Sequence, residues 1–380
     1  MLNLFLLPTI SWLSTIPVFL IPAIGTCNSL DEVSSSGHIH FLGRRYSHNK
    51  WAALKKRVTC LGRNGYWTKD DIPTKNKLPR NMDVQSPCKT AYNVQNSCIN
   101  VLNSSCIDYS WEVRASKTGG GCEDTMVPFN RNHMCRMIKH GPHTRNILTL
   151  GDSVTGQLTV TLANFFYQQT PGRECKELFT TYLGEDPLPC SDDSNKTDIW
   201  MVSRRSDRLT LNTEFIYDMK NNFMDQPFLD TLDKNISLLI LNRGAHFQED
   251  DLLMNATNAT LHFIRQNYPR ISIVWRNTAT GYLQTQEAFN DPPLVDEAPP
   301  TDIWGWRRFA HQNELMESFL AKHYPEVLYL DVYHMTQLRH DCRANDIHFC
   351  IPGPTDTYVT YLYNALRIVT STGSPVRKRR

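Results

Sequence analysis

Three short segments of this chain carry residue types that together can do covalent chemistry on an ester. The first is Gly151-Asp152-Ser153, which follows the apolar run Asn146-Ile147-Leu148-Thr149-Leu150 and precedes a helical pattern. A serine at such a junction sits on a tight turn, with its own N–H at the positive end of the helix and able to stabilise an oxyanion. Asp and Ser also start helices in any protein, so the tripeptide alone equally describes an N-cap. The second is Asn242-Arg243-Gly244-Ala245-His246, fed by the run Leu238-Leu239-Ile240-Leu241. It delivers an amide and an imidazole to the same sheet edge; Asn242 can donate to an oxyanion or simply close the strand with an Asx-turn. The third, Asn345-Asp346-Ile347-His348-Phe349-Cys350, offers a base. A serine hydroxyl is a weak nucleophile that needs an imidazole within reach and a carboxylate to fix the tautomer. Among 13 histidines, His348 stands out by its place between the last strand pattern and the last helix, in a short loop from Cys342 to Cys350.

These segments need a sheet to hold them. Strand-length apolar runs occur at 146–150, 199–202, 237–241, 271–275 and 327–332, rich in Ile, Val and Leu as buried parallel strands are. Helical spacing marks 155–167, where Leu158, Leu162, Phe165 and Phe166 form a stripe, then 256–267, 308–323 and 356–368. The alternation predicts an α/β fold of three layers around a central parallel sheet, with ligands at the C-terminal ends of the strands. Aromatic segments at Tyr109-Ser110-Trp111 and Trp304-Gly305-Trp306 read first as core, and second as stacking platforms for sugar rings.

Composition sets the outer bounds. With 380 residues and 40 Lys+Arg against 38 Asp+Glu, the chain has no global basic field, so nucleic acid is not an expected partner. The first 25 residues contain no charged side chain and end in Ala23-Ile24-Gly25, which predicts a signal peptide or, equally, an uncleaved signal anchor, the only expected contact with a membrane. Of 11 cysteines, Cys27 borders that leader, and the other ten suit disulfides in an oxidising lumen. No CxxC pair occurs, so no metal site is expected. Sequons at Asn103, Asn195, Asn235, Asn255 and Asn258 agree with secretion. Residues 26–55 are polar and read as a stem, in which His38 and His40 share a face and a solvated stem is favoured over a metal pair. Residues 56–145 form a cysteine-rich, disulfide-stapled N-terminal portion, 146–370 the α/β domain, and 371–380 a basic tail.

The ordered blocks together resemble the trichome-birefringence-like polysaccharide O-acetyltransferases and the wider PC-esterase branch of the GDSL/SGNH hydrolases. Cys60 with Gly65-Tyr66-Trp67, NILTLGDSVTGQ at 146–157, LILNRGAHF at 239–247, IVWRNTATG at 273–281, and LRHDC followed by HFCIPGPTDTY carry the likeness. The resemblance implies an SGNH-like fold and acetyl transfer to hydroxyls of a polysaccharide or glycoprotein glycan, in the Golgi lumen or outside the cell. It implies Ser153 as nucleophile, His348 as base, the Ser153 amide and Asn242 as oxyanion donors, and Asp152, Gln157, His246 and Arg276 near the substrate. No cofactor is implied beyond an acetyl donor as co-substrate. The family places Asp three residues before its histidine. Here that position is Asn345, so Asp346 is taken as the carboxylate and Asn345 as the alternative orienter. An esterase that uses water as acceptor, and a weakly catalytic glycan-binding protein, share these expectations.

Overall fold

A computed structural model describes residues 37–69, 109–114, 122–139, 146–168, 183–188, 190, 199–205, 232, 235–242, 244, 249–281, 305–337, 339, 347–349, 353–372 and 374–375. The chain divides into two compact units, Met1–Gly37 and His38–Arg380. Its strands are β1 (His38–Phe41), β2 (Arg44–Ser47), β3 (Gly65–Lys69), β4 (Tyr109–Val113), β5 (Asn146–Gly151), β6 (Leu183–Leu188), β7 (Ile199–Arg205), β8 (Ile236–Leu241), β9 (Ser272–Arg276), β10 (Leu328–Leu330) and β11 (Ser374–Pro375). Its α-helices are α1 (His48–Arg63), α2 (Arg131–Ile138), α3 (Ser153–Gln168), α4 (Asp250–Asn267), α5 (Phe309–His323), α6 (Tyr333–Thr336) and α7 (Pro354–Thr372).

The central sheet has the order β10-β9-β8-β5-β7-β6. Its first five strands are mutually parallel, and β6 closes one edge antiparallel to β7. Period-two alternation sorts the strand side chains onto two faces. Ile147, Leu238, Ile240, Val274, Leu328 and Leu330 pack with α1, α3 and α7. Leu148, Leu150, Leu239, Leu241, Ile273 and Trp275 pack with α4 and α5. Two cores on opposite faces of one sheet make the expected three layers. After β5 the chain builds toward β7, then crosses back to lay β8 on the other side of β5. The C-terminal end of β5 is therefore where strand order reverses, the place at which open α/β sheets form their ligand crevice.

The stem expected over 26–55 is corrected for residues 38–55, while residues 26–36 lie outside the described residues. Residues 38–63 are folded, because their apolar side chains have a period that polar composition conceals. Ile39 and Phe41 alternate inward on β1, and Trp51, Leu54, Val58 and Leu61 recur at helical spacing on α1. Ser47 caps α1 by accepting from the Lys50 N–H. Tyr46 Oη donates to the Val369 carbonyl at 2.5 Å, and Trp51 Nε1 to the Pro325 carbonyl at 2.7 Å, which ties this N-terminal segment to the far end of the domain. His38 and His40 do share the exposed face of β1, but His38 Nδ1 meets Arg45 Nη2 at 2.9 Å. Among the described residues no cluster has the makings of a metal site. The tail is shortened as well, since Ser374 and Pro375 pair with β2.

Disulfides join Cys60 to Cys122 and Cys135 to Cys190, as befits a chain from an oxidising compartment. The leader, Cys27 and the cysteines at 88, 98, 106, 175, 342 and 350 lie outside the described residues. Among those described, no helix is long and apolar enough to cross a membrane. The aromatic segments resolve toward core where they are described. Trp111 is buried and donates to the Leu61 carbonyl at 2.9 Å, and Trp306 is buried beside α5; Trp304 lies outside.

At the end of β10, Asp331 is buried and accepts from Asn277 Nδ2 (2.8 Å), Arg63 Nε (2.5 Å) and His334 Nδ1 (2.9 Å). Burial opposes its ionisation, yet the hydrogen bonds and charges of His334 and Arg63 outweigh burial and hold its pKa at about 2. A folded value below the unfolded one stabilises the fold at every pH above the unfolded value, and the gain disappears as pH falls through the folded value. The unfolding free energy is therefore expected to drop by roughly 2 kcal/mol between about pH 4 and pH 2 on account of this group. Urea titrations across that range should show the drop in the native protein and a shallower one in Asp331→Asn.

Candidate active site

Gly151 ends β5 and Ser153 begins α3. A methyl group at Gly151 would meet the Asn242 carbonyl oxygen at 2.7 Å and collide with the Thr155 hydroxyl, so the turn admits only hydrogen at that position. Asp152 is the N-cap: its Oδ1 accepts from the Val154 N–H (3.0 Å) and the Thr155 N–H (3.2 Å). Its carbonyl takes the Gly156 N–H at 3.0 Å. Of the Ser153, Val154 and Thr155 N–H groups that open the helix, the last two are taken by Asp152, and that of Ser153 has no acceptor among the described residues.

The imidazole arrives from 195 residues away in sequence. His348 Nε2 lies 2.6 Å from Ser153 Oγ, within hydrogen-bond reach, and both residues are partly exposed. Ile347 and Phe349 on either side of His348 are buried, so alternation drives two apolar anchors inward and turns the imidazole the other way. Phe349 also packs edge-on against Tyr358 of α7, with ring centroids 6.5 Å apart. The sequence pairing of Ser153 with His348 is thus a spatial one. Asp346, Asn345 and His246 lie outside the described residues.

Four residues expected at the substrate or the oxyanion take other positions. Asn242 is buried, and its orientation is fixed because a guanidinium only donates. Arg276 Nη2 gives a hydrogen bond to Asn242 Oδ1 at 2.6 Å, while Asn242 Nδ2 donates to the Arg276 carbonyl (2.7 Å) and the Thr278 hydroxyl (3.2 Å). Both amide hydrogens are committed, so Asn242 braces β8 against β9 and would have to give one up to serve an oxyanion. Arg276 is buried too; its Nη1 donates to the Asn277 carbonyl (2.9 Å) and its Nη2 also to Thr155 Oγ1 (3.0 Å). Asp152 faces it with Oδ1 at 4.0 Å from Nη2. Gln157 is buried and spans to the backbone of Phe349. Asp152, Gln157 and Arg276 are therefore the frame of the site and not its lining.

Magnitudes explain why a cation tolerates this position. Burial pushes the Arg276 pKa down and the Asp152 charge pushes it back up. At 4 Å two unit charges attract by about 4 kcal/mol at an effective dielectric near 20. Desolvating each ion costs several kcal/mol, so the pair roughly breaks even and its worth lies in geometry. Two participants were not singled out in the sequence: Thr155, which links Arg276 to the nucleophile turn, and Thr278, whose hydroxyl stands where any side chain at Gly244 would go. The adjacency of Thr155 to the turn and of Thr278 to the Arg-ending strand was the available signal.

No family model matches this chain, and no curated protein matches it either. Among solved structures it is similar to one described as a platelet activating factor from Streptococcus pneumonia, at 15% identity and a TM-score of 0.31, over 62% of this chain and 89% of that one. A lipopolysaccharide acetyltransferase periplasmic domain from Salmonella ser. Paratyphi A gives 14% and 0.32 over 62% and 86%. A GDSL-like lipase from Parabacteroides merdae gives 15% and 0.34 over 61% and 99%. Superpositions this loose carry no statement about chemistry.

Removing the guanidinium while keeping the volume strands Asp152 and Asn242 Oδ1 in the interior, and breaking a buried pair typically costs 3–5 kcal/mol. Arg276→Met is expected to lower the unfolding free energy by about 3 kcal/mol, read from the urea midpoint at constant m.

Proposed function

We propose that this protein is a serine-dependent acyl-transfer enzyme of the SGNH type that moves acetyl groups onto glycan hydroxyls. The observation that carries the reading is the 2.6 Å approach of His348 Nε2 to Ser153 Oγ at the switch point of a parallel sheet. The Ser153 N–H, which has no acceptor among the described residues, supports it, since an oxyanion on the attacked carbon would lie beside that donor. In the first half-reaction Ser153 Oγ adds to the carbonyl carbon of an acetyl ester and its proton passes to His348 Nε2. The donor's C–O bond then breaks, and the departing oxygen takes the proton from His348, leaving acetyl-Ser153. In the second half a sugar hydroxyl gives its proton to His348 and attacks the acetyl carbon; Ser153 leaves and recovers the proton. A carboxylate from Asp346, with Asn345 as the alternative, orients the imidazole in this scheme.

Partial exposure of Ser153 and His348 favours a second reading, a carbohydrate esterase, because water then competes with the sugar as acceptor. The two disulfides support a secretory setting. Exposure of Asn235 and Asn255 is compatible with glycosylation there, whereas Asn258 Oδ1 accepts from Tyr324 Oη at 2.7 Å. The block likeness at 146–157, 239–247 and 348–358 is the ground for the glycan acceptor and for a Golgi or extracellular location.

A fluorophosphonate should label Ser153 stoichiometrically in the native protein. Ser153→Ala should lose the label in intact mass, and His348→Ala should slow it by about 10²–10⁴-fold; equal labelling of all three proteins refutes the site. Incubation with 4-nitrophenyl acetate and an oligosaccharide panel separates the two readings. Acetylated sugar in mass spectra is expected, and free acetate with no acetylated product identifies the esterase.

A further inference from the structure

Gln157 stands four residues beyond Ser153 on α3, one turn along the same face of the helix and about 6 Å up its axis. Its side chain is buried, at 1% exposure, and ends on the main chain of Phe349, the residue next to the base. Nε2 donates to the Phe349 carbonyl at 2.7 Å, and Oε1 accepts the Phe349 N–H at a longer 3.4 Å. The orientation is unambiguous, because a peptide N–H only donates and a peptide carbonyl only accepts. The carboxamide thus pairs with both backbone groups of one residue, as a neighbouring strand would.

We propose that Gln157 is a positioning residue that sets the distance between nucleophile and base. The inference rests on the reading of Ser153 and His348 given above and deepens it. Ser153 and Gln157 belong to one rigid helix, so a bond from Gln157 to Phe349 references His348 to the same body that carries the hydroxyl. The 2.6 Å contact is then referenced directly through α3 and not only through the long chain between residues 153 and 348. Burial of Phe349 and its ring contact with Tyr358 hold the segment against the protein, but an apolar contact is not directional and leaves the backbone free to slide by fractions of an ångström. A hydrogen-bonded amide removes that freedom. Misplacement of a reacting group by about 1 Å costs on the order of 10²-fold in rate, which is the scale at which such a clamp acts. Because its polar atoms are turned to Phe349, Gln157 is not expected to contact substrate.

The test is the two-parameter kinetics of fluorophosphonate labelling in the full-length protein, with a saturation constant for probe binding and a maximal rate for bond formation. Gln157→Met keeps the volume and removes both hydrogen bonds; Gln157→Asn keeps the amide but is one methylene too short to reach, and serves if the methionine variant does not fold. The maximal rate should fall by about 10–100-fold with the saturation constant unchanged, and circular dichroism should report native helix content. A raised saturation constant at an unchanged maximal rate would mean that Gln157 touches the ligand, and would overturn the proposal. So would unchanged values of both, including the case in which only the melting temperature falls. Absence of labelling in the native protein would instead remove the Ser153 and His348 reading itself.

Discussion

A guanidinium sealed from water must place its hydrogens on acceptors within the protein, and Arg276 does so at the point where three strand ends meet. It ends β9, bonds the side chain of Asn242 at the end of β8, and reaches Thr155 just beyond the end of β5, with the Asp152 carboxylate opposite. These groups come from two other segments, the end of β8 and the turn after β5, so the strand termini cannot splay without stranding a buried charge. Among the described residues the Arg276 Nε has no partner, a small cost that the three other contacts outweigh. The edge of the sheet is thereby a fixed platform.

What the platform holds is the start of α3. Asp152 spends its carboxylate on the cap and on Arg276, while the neighbouring serine keeps a partly exposed hydroxyl beside His348 and an N–H with no acceptor among the described residues. The same helix reaches outward through Gln157 to the segment bearing His348. The Ser153 hydroxyl, the helix amide and the His348 imidazole are consequently referred to one element, α3, and that element is referred to the sheet through a charge. Polar residues lining a site from behind are easily mistaken for residues facing into it, because both kinds are needed in the same few positions of the sequence.

The far side of the domain answers a different need. The hairpin of β1 and β2 with α1 covers the outer face of α7, through Tyr46 to Val369 and Tyr361 to Val58. Arg63 at the end of α1 is bound to Asp331 at the end of β10 and to Glu317 of α5. An N-terminal segment that looks dispensable by composition therefore closes the core on which the C-terminal helix lies. The disulfide from Cys60, near the end of α1, to Cys122 adds a covalent tie at the same place.

Local signals in the sequence determined the parallel strands and their flanking helices, because each buried strand is an apolar run and each helix has one apolar stripe. They also located the glycine turn with its serine, since an apolar strand run precedes that tripeptide and a helical stripe follows it. The antiparallel edge strand β6, LGEDPL, has no such pattern, as an edge strand buries little and tolerates proline. The folding of 38–63 was present in period but hidden by charge, which lies on the solvent face. Only the tertiary structure decided which polar residues face the crevice. Asn242, Gln157 and Arg276 have the chemistry of ligands, yet each is turned inward by a partner 34 to 192 positions away in the chain. No local pattern encodes such partners, because hydrogen-bond direction is fixed by where the strands and the loop bearing His348 come to rest.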